Sequence, residues 1–138
     1  MNKTYLLASI NPSATVLVKA AAAIEDVRYR AVKFDENGGL VLASTAGETF
    51  LGIAIPTTGD AIGKVAVGDG VDVQIKEMGM AMAGGAVVAG APLTTDANGK
   101  LVTAAAGNFV IGYAIDSAAA DGDIIQIQIA KGYYPTGA

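Results

Sequence analysis

Three blocks of residues recur in the same order in the two halves of this chain. Chance matches are common in a chain rich in alanine and glycine, but three ordered blocks predict a duplicated supersecondary unit. The matches preserve Asp-x-Asn-Gly with a following Leu-Val, then Gly-x-Ala-Ile, then Asp-Gly with Gln-Ile. The paired blocks are residues 35–43 with 96–104, residues 47–55 with 107–115, and residues 69–75 with 121–127.

The repeat divides the chain into five segments within one compact domain. A chain of 138 residues buries roughly two-thirds of its unfolded surface, so it needs no metal or disulfide to fold. The predicted segments are an N-terminal arm and first strand at 1–22, a β repeat at 23–77, a small-residue bridge at 78–85, a second β repeat at 86–132, and a C-terminal tail at 133–138.

The local patterns within each repeat are typical of β-structure. Residues 71–76 and 123–130 alternate apolar and polar side chains at period two, as half-buried strands do. Asp-x-Asn-Gly before an apolar pair predicts a hairpin turn, because Asn and Gly tolerate positive φ. Residues 15–19 predict a further strand, and a glycine inside each Gly-x-Ala-Ile strand indicates a bulge, a bend or a close backbone approach.

These patterns predict an all-β fold, a small β-barrel or sandwich built from two pseudo-symmetric repeats. At most one or two short helices are expected, and residues 20–27 have the composition for one or two helical turns. Met78, Met80 and Met82 alternate at strand spacing and predict packing in a core or at an interface.

The composition excludes several classes of function. The chain has no cysteine and no histidine, which removes thiolate metal sites, the usual general base and the common nucleophile systems. Nine basic residues against thirteen acidic ones give a net charge of −4, which disfavours nucleic-acid binding. No apolar run reaches the roughly 18 residues of a membrane helix, and the apolar start breaks too early, at Asn11-Pro12, for a signal peptide. We therefore expect synthesis in the cytoplasm, no membrane and no nucleic acid.

The two acidic turns resemble the start of a calcium-binding loop but lack a ligand that such a loop needs. An EF-hand loop needs a bidentate acid at its twelfth position. Counted from Asp35 and Asp96, that position holds Ala46 and Gly107, which offer no side-chain ligand. No spacing singles out a catalytic pair among the thirteen acids. We predict no catalytic residue, no cofactor and no metal.

The second half of the chain resembles a known family. Residues 90–104 read Gly-Ala-Pro-Leu-Thr-Thr-Asp-Ala-Asn-Gly-Lys-Leu-Val-Thr-Ala, and residues 110–120 read Val-Ile-Gly-Tyr-Ala-Ile-Asp-Ser-Ala-Ala-Ala. Residues 122–132 close with Gly-Asp-Ile-Ile-Gln-Ile-Gln-Ile-Ala-Lys-Gly. This succession of turns and strands resembles the capsid cement, or head-decoration, proteins of tailed bacteriophages, over about residues 24–132.

The resemblance implies a non-enzymatic structural protein that binds the exterior of an assembled phage capsid and stabilises it. Its partner would be the major capsid protein, its location the virion, and the host cytoplasm during assembly. A homotrimer is favoured and a dimer is the alternative. The apolar arm at the N-terminus predicts either a contact with the capsid or a neighbouring subunit, or an edge strand of the chain's own sheet. The arm residues proposed for contact are Tyr5, Leu6, Leu7 and Ile10.

Two other readings of the sequence stay open at this point. One is a β-module that binds small ligands or carbohydrates on a particle surface, for which the aromatic platforms would be tyrosines because the chain has no tryptophan. Its candidates besides Tyr5 are Tyr29, Tyr113, Tyr133 and Tyr134. The other is a detached β-clip-type domain of a sugar-acid enzyme whose catalytic partner lies on another chain.

Overall fold

The computed structural model describes residues 13–55 and 63–136. All regular structure within these two ranges is β-structure, in ten strands. In chain order they are β1 Thr15–Lys19, β2 Ala31–Phe34, β3 Leu40–Leu42, β4 Gly52–Ala54, β5 Gly70–Gln74, β6 Glu77–Met82, β7 Pro92–Thr95, β8 Leu101–Thr103, β9 Phe109–Ala114 and β10 Ile124–Tyr133.

The strands form two antiparallel sheets of five strands with the same internal order. The first sheet has the order β1-β5-β4-β2-β3, and the second has the order β6-β10-β9-β7-β8. The part of the chain that contains the first sheet is called the first lobe, and the part that contains the second sheet is called the second lobe. Single-residue bridges from Ala20 to Leu40 and from Ala83 to Leu101 bring the two edges of each sheet together without closing a barrel. The predicted all-β fold is confirmed as sandwich-like rather than a barrel. Identical strand order is what duplication would produce, and the duplication itself stays a prediction.

The two Asp-x-Asn-Gly turns close corresponding hairpins, β2–β3 and β7–β8. Asp35 Oδ1 accepts hydrogen bonds from the backbone N–H groups of Asn37 and Gly39 at 2.9 and 2.8 Å. Asp96 Oδ1 accepts the corresponding pair at 2.8 and 2.9 Å. Gly38, the last residue of the first motif, has φ +81°. The carboxylates therefore serve the turn backbone, as the turn chemistry predicted.

The mid-strand glycines mark close backbone approaches. A Cβ placed on Gly52 would overlap the carbonyl oxygen of Gln74, and one placed on Gly112 would overlap that of Gln128. Gly52 lies in β4 beside β5, and Gly112 occupies the same place in β9 beside β10. Close approach of two backbones is therefore observed at both glycines, and the register of β10 also shifts directly beyond Ile129, the residue that pairs with Gly112.

The hydrophobic core consists of two clusters, of which one joins the lobes. The first cluster lies within the first lobe, where Val32, Leu40 and Val73 are fully buried. The second covers the inner face of the second sheet and takes in residues of the first lobe as well. The first-lobe members of this shared cluster are Ala31, Ala43, Phe50 and Ile53.

The helical turns predicted at 20–27 do not form. Ala20 N–H donates to the carbonyl of Asp69 at 2.8 Å, and Ile24 N–H donates to that of Val65 at 2.9 Å. Ile24 and Val27 are buried in the first cluster. The alanine-rich composition favours a helix locally, but these long-range bonds and the burial of apolar side chains outweigh a preference of under about 1 kcal/mol per residue.

The segment predicted as a bridge at 78–85 is mostly strand. β6 spans Glu77–Met82 and pairs with β10 along its whole length. Its place at the edge of the second sheet matches that of β1 in the first sheet. At the other boundary, β10 continues to Tyr133, where the sequence analysis places the tail.

The third block of the sequence match is shifted by two residues in the structure. Asp69 Oδ2 accepts from the N–H of Ala66, and the bond of the same kind in the second lobe joins Asp123 to Ala120. Asp69 therefore corresponds to Asp123 and not to Asp121, which forms an ion pair with Lys100 instead. Asp69-Gly70 and Asp121-Gly122 are identical in sequence, but they do not occupy corresponding positions in the two lobes.

Candidate interaction surface

The acidic side chains of the described residues were the first candidates for a site. Among residues 13–55 and 63–136, no group of three or more Asp or Glu side chains is placed to hold a metal ion. The same part of the chain contains no helix long and apolar enough to cross a bilayer. The predicted contact residues of the arm, Tyr5, Leu6, Leu7 and Ile10, lie outside the described residues.

The second sheet carries an apolar stripe on its solvent-facing side, here called the outer apolar face. Strands β6, β10 and β9 lie side by side in this sheet, so that Met78, Gln128 and Tyr113 stand in one row. Met80 and Gln126 stand opposite each other two residues along the same strands. Large apolar side chains that are 39–47% exposed make up this face: Met78, Met80, Tyr113, Ile115 and Ile124.

An open groove next to Tyr113 gathers three tyrosines. Tyr113, Tyr133 and Tyr134 line it together with Pro92 and Pro135. The ring of Tyr133 packs edge-on against Phe109 at a centroid distance of 5.6 Å. The structure thus brings together three of the four tyrosines outside the arm that the sequence analysis named as platforms, while Tyr29 lies in a crevice between the lobes.

The contact between the lobes combines backbone hydrogen bonds with an edge-to-face aromatic pair. Ala31 N–H donates to the carbonyl of Gly99 at 2.7 Å, and Phe109 N–H donates to that of Gly47 at 3.1 Å. Phe50 and Phe109 meet edge to face at 5.3 Å. The lobes therefore form one packed body that presents the outer apolar face on a fixed support.

A lysine and a tyrosine of β10 reach across to the first lobe. Lys131 Nζ donates to the carbonyl of Leu51 at 2.6 Å, and partial burial lowers the pKa of this amine. The hydroxyl groups of Tyr133 and Thr49 lie 3.1 Å apart. These polar contacts fix the end of β10 against its neighbour.

One ion pair holds the loop between β3 and β4. Glu48 lies 2.8 Å from Lys33 Nζ and accepts the backbone N–H groups of Ser44 and Thr45 at 2.7 and 2.8 Å. Burial alone would raise the pKa of Glu48, but the hydrogen bonds from Lys33 and the two amides outweigh it, and the pKa lies below its ordinary value. The ionised form of Glu48 therefore stabilises the fold.

We expect Glu48→Gln to lower the free energy of unfolding by about 1–2 kcal/mol at pH 7, because it weakens charged hydrogen bonds of a mostly buried pair. A lowered pKa means that this contribution is complete above the ordinary value of 4.5 and is lost as the pH falls through the folded-state pKa. Urea unfolding at pH 7 and at pH 3 measures the difference. Glu36→Gln, at an exposed turn position, is the matched control, and equal losses in both variants would contradict the prediction.

Sequence reasoning identified β9 and β10 as strands but assigned most of β6 to a bridge, and it did not identify the face that the three strands share. The alternation of Ile and Gln along β10 was visible, as was the alternation of the methionines along β6. Which of the two alternating sets faces solvent depends on the register between the strands, which no single strand reveals.

Comparison with known proteins links this fold to phage heads. A sequence model of the phage cement protein family matches residues 15–129. The fold is similar to the crystal structure of the head fiber gp8.5 N base in bacteriophage phi29, with a TM-score of 0.61 and 20% identity, over 84% of this chain and 92% of that one. No curated protein sequence matches the chain.

Proposed function

The chain belongs to the phage cement protein family, and from that membership we propose that it binds the exterior of an assembled phage head as an oligomer and stabilises the shell. Membership makes it a structural protein of the virion. Binding to the major capsid protein, the trimeric state and the exterior position are parts of the proposal.

The observation that carries the proposal is the outer apolar face. Met80, Tyr113 and Ile124 lie on one side of a regular sheet, and each is more than a third exposed. Clustered apolar side chains of this kind mark protein contact sites, because their burial removes apolar surface from water. An apolar face of this kind suits a protein that acts by binding other proteins.

An oligomer would multiply modest contacts with the shell. Simultaneous binding through linked sites raises avidity by roughly 10²–10⁴ over one site. A trimer would therefore bind the shell tightly even if the face of each copy binds weakly. This suits a protein that spans the boundaries between shell subunits.

We expect the purified full chain to bind undecorated phage heads saturably and to raise the temperature at which they rupture. Co-sedimentation with heads measures binding, and a dye that reports released DNA measures rupture. A glycan array run in parallel tests the alternative. Absence of binding to heads, or binding to glycans alone, would overturn the proposal.

The N-terminal arm is a second proposed contact with the shell. Deleting residues 2–11 removes Tyr5, Leu6, Leu7 and Ile10, and we expect the same co-sedimentation assay to show weaker binding. Unchanged binding of the deletion variant would exclude the arm as a contact and leave the folded lobes to carry it.

Carbohydrate binding is a second candidate, which the tyrosine groove favours. Tyr113, Tyr133 and Tyr134 line one opening, and tyrosine rings supply an apolar face with a polar edge. A particle that carried such grooves could adhere to a host surface. The glycan array decides between the two candidates.

A further inference from the structure

Corresponding surfaces of the two lobes differ in their exposure to solvent. Ile53 pairs with Gln74 in the first sheet, as Tyr113 pairs with Gln128 in the second. Ile53 is 2% exposed, because it lies in the shared core against the second lobe, and it lines the crevice that Met80 borders. Tyr113 is 47% exposed. The surface that the first lobe buries is left open on the second.

The opposite side of the contact shows a smaller difference in the same direction, with Met80 41% exposed and its first-lobe counterpart 69% exposed. The second lobe meets the first through Met80 in β6 and through Gly99, whose carbonyl accepts the N–H of Ala31. In the first lobe, Leu17 corresponds to Met80, and it is 69% exposed. Gly38 corresponds to Gly99, and a Cβ placed there would meet nothing within 4 Å.

We infer that these two exposed surfaces bind each other in a contact between copies of this chain. This contact would have the same geometry as the contact between the two lobes of one copy. The front surface is Tyr113, Ile115 and Gln128, and the back surface is Leu17 with Gly38. The front of one copy docks on the back of the next. Such a head-to-tail contact generates rings where its rotation closes, and three copies would give a ring of six similar lobes.

One residue limits how closely the contact between copies can follow the internal one. Pro92 takes the place of Ala31 in the second lobe, as the pairing of each with the neighbouring strand shows. Proline has no N–H, so the hydrogen bond that Ala31 donates to Gly99 has no counterpart. The contact between copies rests instead on burial of Tyr113, Ile115 and Leu17.

This inference deepens the oligomer part of the proposed function. Tyr113 and Ile115 belong to the outer apolar face, so their burial between copies leaves Met78, Met80 and Ile124 of that face for contact with the shell. Sedimentation velocity of the purified chain tests it without heads. We expect the wild-type chain to sediment as an oligomer at micromolar concentration, and Tyr113→Lys and Leu17→Lys each to sediment as a monomer. Val88→Lys, at a loop residue that is 73% exposed and outside both surfaces, should leave the oligomer intact. A monomeric wild type, or an intact oligomer in either surface variant, overturns the inference.

A cross-linking experiment then distinguishes head-to-tail from symmetric pairing. The chain has no cysteine, so Leu17→Cys and Tyr113→Cys each introduce a single thiol. Under mild oxidation we expect the mixture of the two variants to form disulfide-linked dimers and each variant alone to stay unlinked. Linked dimers in either variant alone would show a two-fold contact and would overturn the head-to-tail arrangement. Circular dichroism of each variant checks that the fold is retained.

Discussion

Gly112→Ala should lower the free energy of unfolding by at least about 3 kcal/mol, and a protein of ordinary stability would lose a large share of its total. The added methyl group would overlap the carbonyl oxygen of Gln128 and crowd the Cα of Ile129 in the neighbouring strand. Both are backbone atoms, so relief requires β9 and β10 to move apart and to weaken their hydrogen bonds. Urea unfolding followed by circular dichroism measures the loss.

Gly132→Ala is the matched control, because it changes the same residue type in the same sheet. A Cβ at Gly132 meets nothing within 4 Å, and we expect a change below about 1 kcal/mol. Similar stability of the two variants would contradict the close approach at Gly112.

Phe109→Ala should lower the free energy of unfolding by about 3–5 kcal/mol, the usual cost of removing a buried phenyl ring. Phe109 is 5% exposed and packs edge-on against both Phe50 and Tyr133. Because its ring belongs to the core cluster that joins the lobes, the loss should fall on both lobes at once. Amide hydrogen exchange measures the protection of each lobe.

Phe34→Ala is the control for this prediction, since Phe34 is 50% exposed; its loss should be near 1 kcal/mol. A double-mutant cycle of Phe50→Ala with Phe109→Ala should give a coupling of about 0.5–1.5 kcal/mol for the edge-to-face pair. Protection lost in the second lobe alone would mean that the lobes unfold separately, contrary to the shared core.

The proposed assembly explains why the chain tolerates so many exposed apolar residues. Leu17 and Tyr113 lie on different lobes and on opposite sides of the internal contact. Tyr113 corresponds to Ile53, which the internal contact buries, and Leu17 corresponds to Met80, which lines the crevice at that contact. Attachment to a shell and association between copies would together cover most of this surface.

Turns and strands could be predicted from residues that are close together in the chain. The two Asp-x-Asn-Gly motifs predicted hairpins, because a turn involves only residues close together in the chain. Period-two alternation in β5 and β10 predicted strands for the same reason. The mid-strand glycines Gly52 and Gly112 indicated a bulge, a bend or a close backbone approach without deciding among them. The family resemblance followed from the order of these local features.

Which surfaces are exposed to solvent depends on how the strands and the two lobes pack. Residues 20–27 do not form a helix, because their backbone forms hydrogen bonds with Asp69 and Val65. The segment at 78–85 is mostly an edge strand, because it pairs with β10. Ile53 and Tyr113 occupy the same place in two similar sheets, yet one is buried and the other exposed. That difference arises from which lobe packs against which, a relation between residues far apart in the chain that no local pattern records.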